Sequence, residues 1–239
     1  MDDYFILIHS PLVGPLTWSL VAEDLRGRGL DALAPTLHDG DTSLPYWRRF
    51  AAAVVRALEA IPADRALTLI GHSGAGPLLP PIGRRSGRHI DAYVFVAAGI
   101  PLGERRYLDG IEAGNPALAA QLRQHLGAGG HFPEWGEEDL RAALPDERLR
   151  REMMAELHPH PLAFFEEPIP GFANGPDAPC GYLRFSPPYI PEAERAQQEG
   201  WAYCEIEAEH FHMLVDPAGV ATALIDLTQT NRHIGRSAR

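Results

Sequence analysis

In Leu67-Thr68-Leu69-Ile70-Gly71-His72-Ser73-Gly74-Ala75-Gly76 an apolar run breaks off at a serine set among glycines, and small residues follow. A chain that turns sharply from a buried strand into a helix, exposing one hydroxyl at the bend, is written this way. The bend leaves no room for Cβ atoms, and glycine tolerates its backbone geometry. The geometry expected is a nucleophile elbow, with Ser73 at the tip of a sheet beside the N-terminus of a helix. Of the G-x-S-x-G pattern, Gly71 and Ser73 fit and position 75 is Ala, small enough for the turn. Alone, the same letters also describe a glycine-rich turn with a bystander serine.

The order of segments along the chain adds weight. Phe5-Ile6-Leu7-Ile8 is a short continuous apolar run, as expected of a strand buried on both faces. It leads into His9-Ser10-Pro11-Leu12-Val13-Gly14-Pro15-Leu16-Thr17-Trp18. Trp18, Val21, Ala22 and Leu25 recur at helical spacing and predict a helix from about Thr17 to Arg28, ended by Gly29. Asp31 to Leu37 reads as a second strand, and Leu44 to Ala60 as a second helix with Phe50, Val54, Val55 and Leu58 on one face. Ala66 to Ile70 is the third strand and Ile90 to Ala97 the fourth; Cys180 to Phe185 and Ala202 to Ile206 are the last two. A final helix begins at Pro217, with Asp216 as its N-cap. Apolar strands alternating with amphipathic helices predict an α/β fold, a mostly parallel sheet of about six strands with helices on both faces. Such sheets bind ligands beyond the carboxyl ends of their strands, where His9, Ser73 and the segment after Ile206 all fall.

That last segment is Glu207-Ala208-Glu209-His210-Phe211-His212-Met213-Leu214-Val215-Asp216-Pro217. A histidine between the final strand and the final helix, following a serine far upstream, is the chain order of a hydrolytic triad on this architecture. On these residues the chain resembles the α/β-hydrolase superfamily over nearly its whole length. His9 with Gly14 and Trp18 is similar to the opening of the small esterase and hydroxynitrile-lyase branch. His210-Phe211-x-Met213-Leu214-x-x-Pro217 resembles the segment carrying that family's catalytic histidine. The resemblance makes His210 the base; His212 reads as a surface or packing residue.

The resemblance implies a chemistry. A serine hydroxyl becomes nucleophilic when an imidazole takes its proton, so His210 would activate Ser73 and return the proton to the leaving group. Two fixed donors are wanted where charge builds on the substrate oxygen. The backbone N–H of Gly74 is one. The second commonly comes from the residue two past the histidine that ends the first strand; here that residue is Pro11, which has no N–H. The Ser10 hydroxyl, or the Leu12 N–H on a shifted loop, is the substitute. The triad acid is also missing from its usual places. Ser186-Pro187-Pro188-Tyr189-Ile190-Pro191 holds no acid before Glu192, and Ala97-Ala98-Gly99-Ile100-Pro101 holds none before Glu104. Glu192 fits better as a first-turn carboxylate of a helix from Pro191 to Glu199. Glu166 or Glu167 could reach in from the cap described below, or the site is a Ser–His dyad.

Leu102 to Pro179 is too long for a loop. It reads as helices over Ala117–Leu126, Glu137–Leu144 and Glu147–Leu157, inserted after the fourth strand. The expected division is a core of residues 1–101 and 180–239 and a helical cap of residues 102–179 that roofs Ser73. Phe132, Trp135, Phe164 and Phe165 would line an apolar pocket or pack cap against core. His131, His158 and His160 match no common ligand spacing, so no metal is expected.

Composition sets limits. A chain of 239 residues with 22% charged residues suits one globular domain with a modest insertion. A net charge of −11 without a basic stripe argues against nucleic acid. Met1-Asp2-Asp3 runs straight into a core strand, no segment is long enough to span a membrane, and the C-terminal arginines read as a solvated tail. Cys180 and Cys204 form no C-x-x-C motif, which suits a reduced, cytoplasmic pair. No phosphate-binding glycine fingerprint or repeat is present, and no cofactor is implied. The expected partner is a small-molecule substrate, the oligomeric state being open. Three functions remain: a hydrolase of a small ester, thioester or lactone through acyl-Ser73; a lyase, cyclase or isomerase using Ser73 and His210 as acid–base groups; and a non-catalytic binding relative, disfavoured because serine and histidine are both present.

Overall fold

The computed structural model describes residues 4–101, 103–185 and 189–237, the side chains of 232–237 excepted. Strands β1 (Tyr4–Ile8), β2 (Asp31–Leu33), β3 (Leu67–His72), β4 (Ile90–Val96), β5 (Cys180–Arg184) and β6 (Ala202–Glu205) form a six-stranded sheet in the order β2-β1-β3-β4-β5-β6. Every neighbouring pair is parallel. The core helices are α1 (Leu16–Gly27), α2 (Tyr46–Leu58) and α3 (Leu79–Ser86). The insertion between β4 and β5 carries α4 (Tyr107–Gly114), α5 (Pro116–Gly127), α6 (Glu137–Leu140), α7 (Glu147–Ala155) and α8 (Leu162–Phe165). Then come α9 (Ile190–Gln198), α10 (His212–Val215) and α11 (Pro217–Ser237).

Period-2 alternation sorts each strand's side chains to two faces. Ile6, Ile8, Leu67, Leu69, Tyr93 and Phe95 pack with α2, α3 and α9. Phe5, Leu7, Ile70, Val94 and Val96 pack with Trp18, Val21 and Leu25 of α1 and with Val220 and Leu224 of α11. Each fully buried large side chain, such as Trp18, Phe50 or Phe95, contributes about 2–3 kcal/mol of burial free energy. The sheet is therefore apolar on both sides, as parallel sheets are.

Several elements differ from the sequence reading. The strand expected to run to Leu37 stops at Leu33: Pro35 cannot donate to a ladder, and the segment leaves the sheet edge. Strand β3 runs through Gly71 and His72 rather than ending at Ile70, because both still pair with β4. The helix expected over Glu137–Leu144 is confined to Glu137–Leu140, where the Arg150 guanidinium takes the carbonyls of Leu144 and Pro145 at 2.7 Å each. Helices α4 and α8 were not anticipated. Met1–Asp3, Leu102, Ser186–Pro188 and the last two residues lie outside the described residues, and with them part of the turn searched for an acid.

Strands β1 and β3 are neighbours although β2 intervenes in sequence, so the chain's direction of travel across the sheet reverses between them. Their register pairs Ile8 with Gly71. That pairing sets His9-Ser10 beside His72-Ser73 at the carboxyl end of the sheet, where doubly wound folds bind ligands.

Candidate active site

Ser73 stands at φ 55°, one of two non-glycine residues with positive φ among the described residues. A serine held there is strained, and the surroundings that hold it are specific. A Cβ on Gly71 would lie 3.0 Å from the Leu79 side chain. A Cβ on Gly76 would lie 2.3 Å from the carbonyl oxygen of Gly99. Glycine is thus required at 76 and favoured at 71, whereas Ala75 is fully buried. The segment after Ser73 is a 3-10 turn, Ser73–Leu78, that leads into α3.

The loop after β1 is braced from every side. His9 donates Nδ1–H to the carbonyl of Ser10 at 2.8 Å and accepts the Leu37 N–H on Nε2 at 3.2 Å, which fixes it as the neutral ring. The Pro11 carbonyl accepts from two imidazoles, His38 Nε2 at 3.0 Å and His160 Nε2 at 3.2 Å. His158 stacks on His38 with ring centres 3.5 Å apart, and its backbone N–H donates to the Leu12 carbonyl at 2.9 Å. Burial pushes these rings toward neutrality, His9 and His160 to about 4 and His38 to about 3. Histidines 158 and 160 therefore fasten the insertion to this loop.

Ser10 is buried, and its Oγ accepts the Leu12 N–H at 3.3 Å. The Leu12 N–H is thereby occupied, while the Ser10 hydroxyl keeps its own proton to donate. A Cβ on Gly74 would lie 3.0 Å from Ser10 Oγ and 3.4 Å from Pro11 Cδ, so the Ser10 hydroxyl and Gly74 adjoin. Tyr107 of α4 donates to the Gly74 carbonyl at 2.9 Å.

His210 sits between β6 and α10, and the fold brings it to the Ser73 turn. Its carbonyl accepts from His72 Nε2 at 3.0 Å, and the two rings lie 4.5 Å apart. Its Nδ1 is sealed from solvent with no hydrogen-bond partner among the described residues. Burial lowers its pKa to about 4. His212 is turned away, its ring edge-on to Phe185 at 5.9 Å.

Tyr189 is the residue that sequence reasoning passed over. Its hydroxyl is 3.1 Å from Ser73 Oγ, and its ring lies nearly parallel to that of His210, 14° apart at 5.7 Å. No hydrogen bond joins Ser73 to His210 among the described residues. Tyr189 lies within the Ser186–Pro191 stretch, where an acid is expected; the sequence signal was its place, not its residue type.

None of the candidate carboxylates hydrogen-bonds His210 Nδ1. Glu192 is in the first turn of α9, with Oε2 buried and unpartnered, and burial raises its pKa. Glu167 accepts the N–H groups of Tyr46 and Trp47 at 2.7 and 2.9 Å and so caps α2. Glu166 is exposed. Of the four aromatics singled out, Phe164 and Phe165 are buried packing, stacked on or edge-on to Tyr107. Phe132 and Trp135 form a chain that ends on Phe211, beside His210. Ser73, Gly74, Tyr189 and His210 themselves remain partly exposed.

No family model matches the sequence, and no curated protein matches it. Solved structures do match. An extracellular α/β-hydrolase from a Paenibacillus species, which shares structural and functional homology with tobacco salicylic acid binding protein 2, superposes with a TM-score of 0.77. It is 18% identical over 95% of this chain and 99% of that one. Polyneuridine aldehyde esterase gives 0.68 at 17% identity, covering 95% and 100%. Tomato methylketone synthase I, complexed with 2-tridecanone, gives 0.68 at 15% identity, covering 97% and 99%. At such identities the likeness is one of fold.

Proposed function

We propose that this chain, an α/β-hydrolase by fold, cleaves a small uncharged carboxylic ester, thioester or lactone through an acyl-Ser73 intermediate. The observation that carries this reading is Ser73 held at φ 55° at the end of β3, with His210 brought against the same turn. Ser73 Oγ attacks the carbonyl carbon, its proton passes to His210, and the carbonyl π pair moves onto oxygen. The Gly74 N–H and the Ser10 hydroxyl face that oxygen. Collapse expels the leaving group, which takes the proton from His210; water then repeats the sequence on the acyl-enzyme. Residues 102–179 act as the cap. Phe132, Trp135 and Phe211 offer an apolar wall and no charge, which suits an uncharged acyl or aromatic group. No helix among the described residues is long and apolar enough to cross a membrane. Cys180 and Cys204 are both free, which accords with a reducing, cytoplasmic setting.

One observation favours a second reading. Among the described residues the imidazolium of His210 would have no carboxylate at Nδ1, so full proton abstraction from Ser73 is less favourable than in a triad. A lyase, cyclase or isomerase needs Ser73 and His210 only as acid–base groups. A panel of short-chain p-nitrophenyl esters, with fluorophosphonate labelling, separates the two. Turnover and labelling lost in both Ser73→Ala and His210→Ala support the hydrolase. A folded wild type that does neither overturns it and leaves the second reading.

A further inference from the structure

Ser73 Oγ has a partner that no hydrolytic triad supplies. We propose that the Tyr189 hydroxyl is a catalytic hydrogen-bond donor: it holds Ser73 Oγ in the resting site and passes to the substrate's carbonyl oxygen as that oxygen becomes an oxyanion. This deepens the acyl-serine reading above and rests on it.

Three features support the assignment. The first is position, since the Tyr189 hydroxyl lies 3.1 Å from Ser73 Oγ and its ring plane is set by the stack on His210. The second is the lack of another backbone donor beside the Gly74 N–H, which leaves hydroxyls, that of Ser10 and this one, to complete the oxyanion site. Pro11 has no N–H to offer, the Leu12 N–H is occupied by Ser10 Oγ, and the Tyr107 hydroxyl is committed to the Gly74 carbonyl. Tyr189 is the phenol at this turn whose hydrogen bond runs to the nucleophile itself. The third is the switch of acceptor that the reaction imposes. When Oγ bonds to carbon and its proton goes to His210, Oγ becomes an ester-type oxygen and a poor acceptor. The new oxyanion is attached to the same carbon and is the strongest acceptor within reach. Tyr189 keeps its proton throughout: Oγ–C forms, the π pair moves to oxygen and back, the leaving-group bond breaks, and the leaving group takes the proton from His210. Burial holds the phenol protonated, its pKa raised to about 12, which suits a donor.

Tyr189→Phe keeps the ring and its stack on His210 and removes one oxygen. With a p-nitrophenyl ester, kcat should fall about 100-fold, as for loss of one oxyanion donor, while KM stays within about twofold and the melting temperature is unchanged. A trifluoromethyl ketone, which adds to Ser73 as a tetrahedral hemiketal, should lose affinity about as much as kcat falls. The parent methyl ketone, which binds without adding, should bind Tyr189→Phe as it binds wild type. Wild-type kcat in Tyr189→Phe, or an equal loss of affinity for both ketones, overturns the proposal and leaves acyl-serine chemistry standing. A wild type inert to esters and to fluorophosphonate overturns the hydrolase reading, and this role with it.

Discussion

His72 Nε2–H donates to the carbonyl of His210 at 3.0 Å, so the residue before the candidate nucleophile holds the backbone of the candidate base. His72 is fully buried, and its ring meets Trp18 edge-on at 6.1 Å. The bond couples the end of β3 to the segment after β6, 138 residues away in sequence.

His72→Phe keeps the contact with Trp18 and removes the donor. The unpaired carbonyl costs about 1–2 kcal/mol, and His210 loses its hold. We expect kcat on the p-nitrophenyl ester to fall about tenfold with KM nearly unchanged, measured alongside urea denaturation. Wild-type kcat in this variant would show that His210 keeps its place without the bond.

Ala75→Gly restores the missing glycine of the G-x-S-x-G pattern. Ala75 is already buried in the turn, so the change adds only backbone freedom in the unfolded chain. Stability should drop by about 0.5–1 kcal/mol, with no gain in activity. Faster turnover would mean that Ala75 restrains the elbow.

Gly76→Ala tests the opposite side of the same turn. Its Cβ would meet the Gly99 carbonyl, which is backbone and cannot move alone. We expect a loss of about 3 kcal/mol or an insoluble protein. A soluble variant of wild-type stability would contradict the packing described.

Glu167 belongs to the insertion and caps a core helix with both carboxylate oxygens. Glu167→Ala should cost about 1–2 kcal/mol in urea unfolding, and Glu167→Gln should recover part of it. No change in either would show that the two bonds add nothing to the fastening of insertion to core.

The pH dependence has a definite sign. His210 must be neutral to act as a base, and burial lowers its pKa to about 4. The acid limb of kcat/KM should therefore lie near pH 4 rather than near 6.5, in initial rates after a rapid pH jump. Stability moves over a higher window. His9 and His160 titrate at about 4 when folded and at about 6.5 when unfolded. Between those values the unfolded chain binds more protons, so stability is full above about pH 6.5 and falls as the pH drops toward 4. Urea midpoints at pH 7.5 and pH 5 measure it. An acid limb at 6.5 would mean that His210 is not perturbed by burial.

Residues whose place in the fold follows from local pattern were legible in the chain. Phe5–Ile8 and Leu67–Ile70 read as buried strands because apolar runs bounded by turns are how parallel strands are written. The place of Ser73 at the bend was legible because a serine among glycines after such a run marks a sharp strand-to-helix turn. His210 was legible from its place before the Asp216-capped helix, where Asp216 does accept the Gly219 N–H at 2.9 Å. Helices α4 and α8 were not legible, since at eight and four residues they are too short to carry a helical period.

By itself the sequence determined the strand–helix alternation, the parallel sheet and the two residues, Ser73 and His210, that stand at its carboxyl end. These follow from periodicity and turn chemistry, which act over a few residues. Only the tertiary structure decided what surrounds them. That Tyr189, rather than a carboxylate, meets Ser73, that the imidazoles of His38 and His160 converge on the Pro11 carbonyl, and that Glu167 is spent on capping α2 are contacts between segments tens to more than a hundred residues apart. Such contacts depend on strand order, register and the packing of the insertion, and no local pattern encodes which side chain arrives within 3 Å of another.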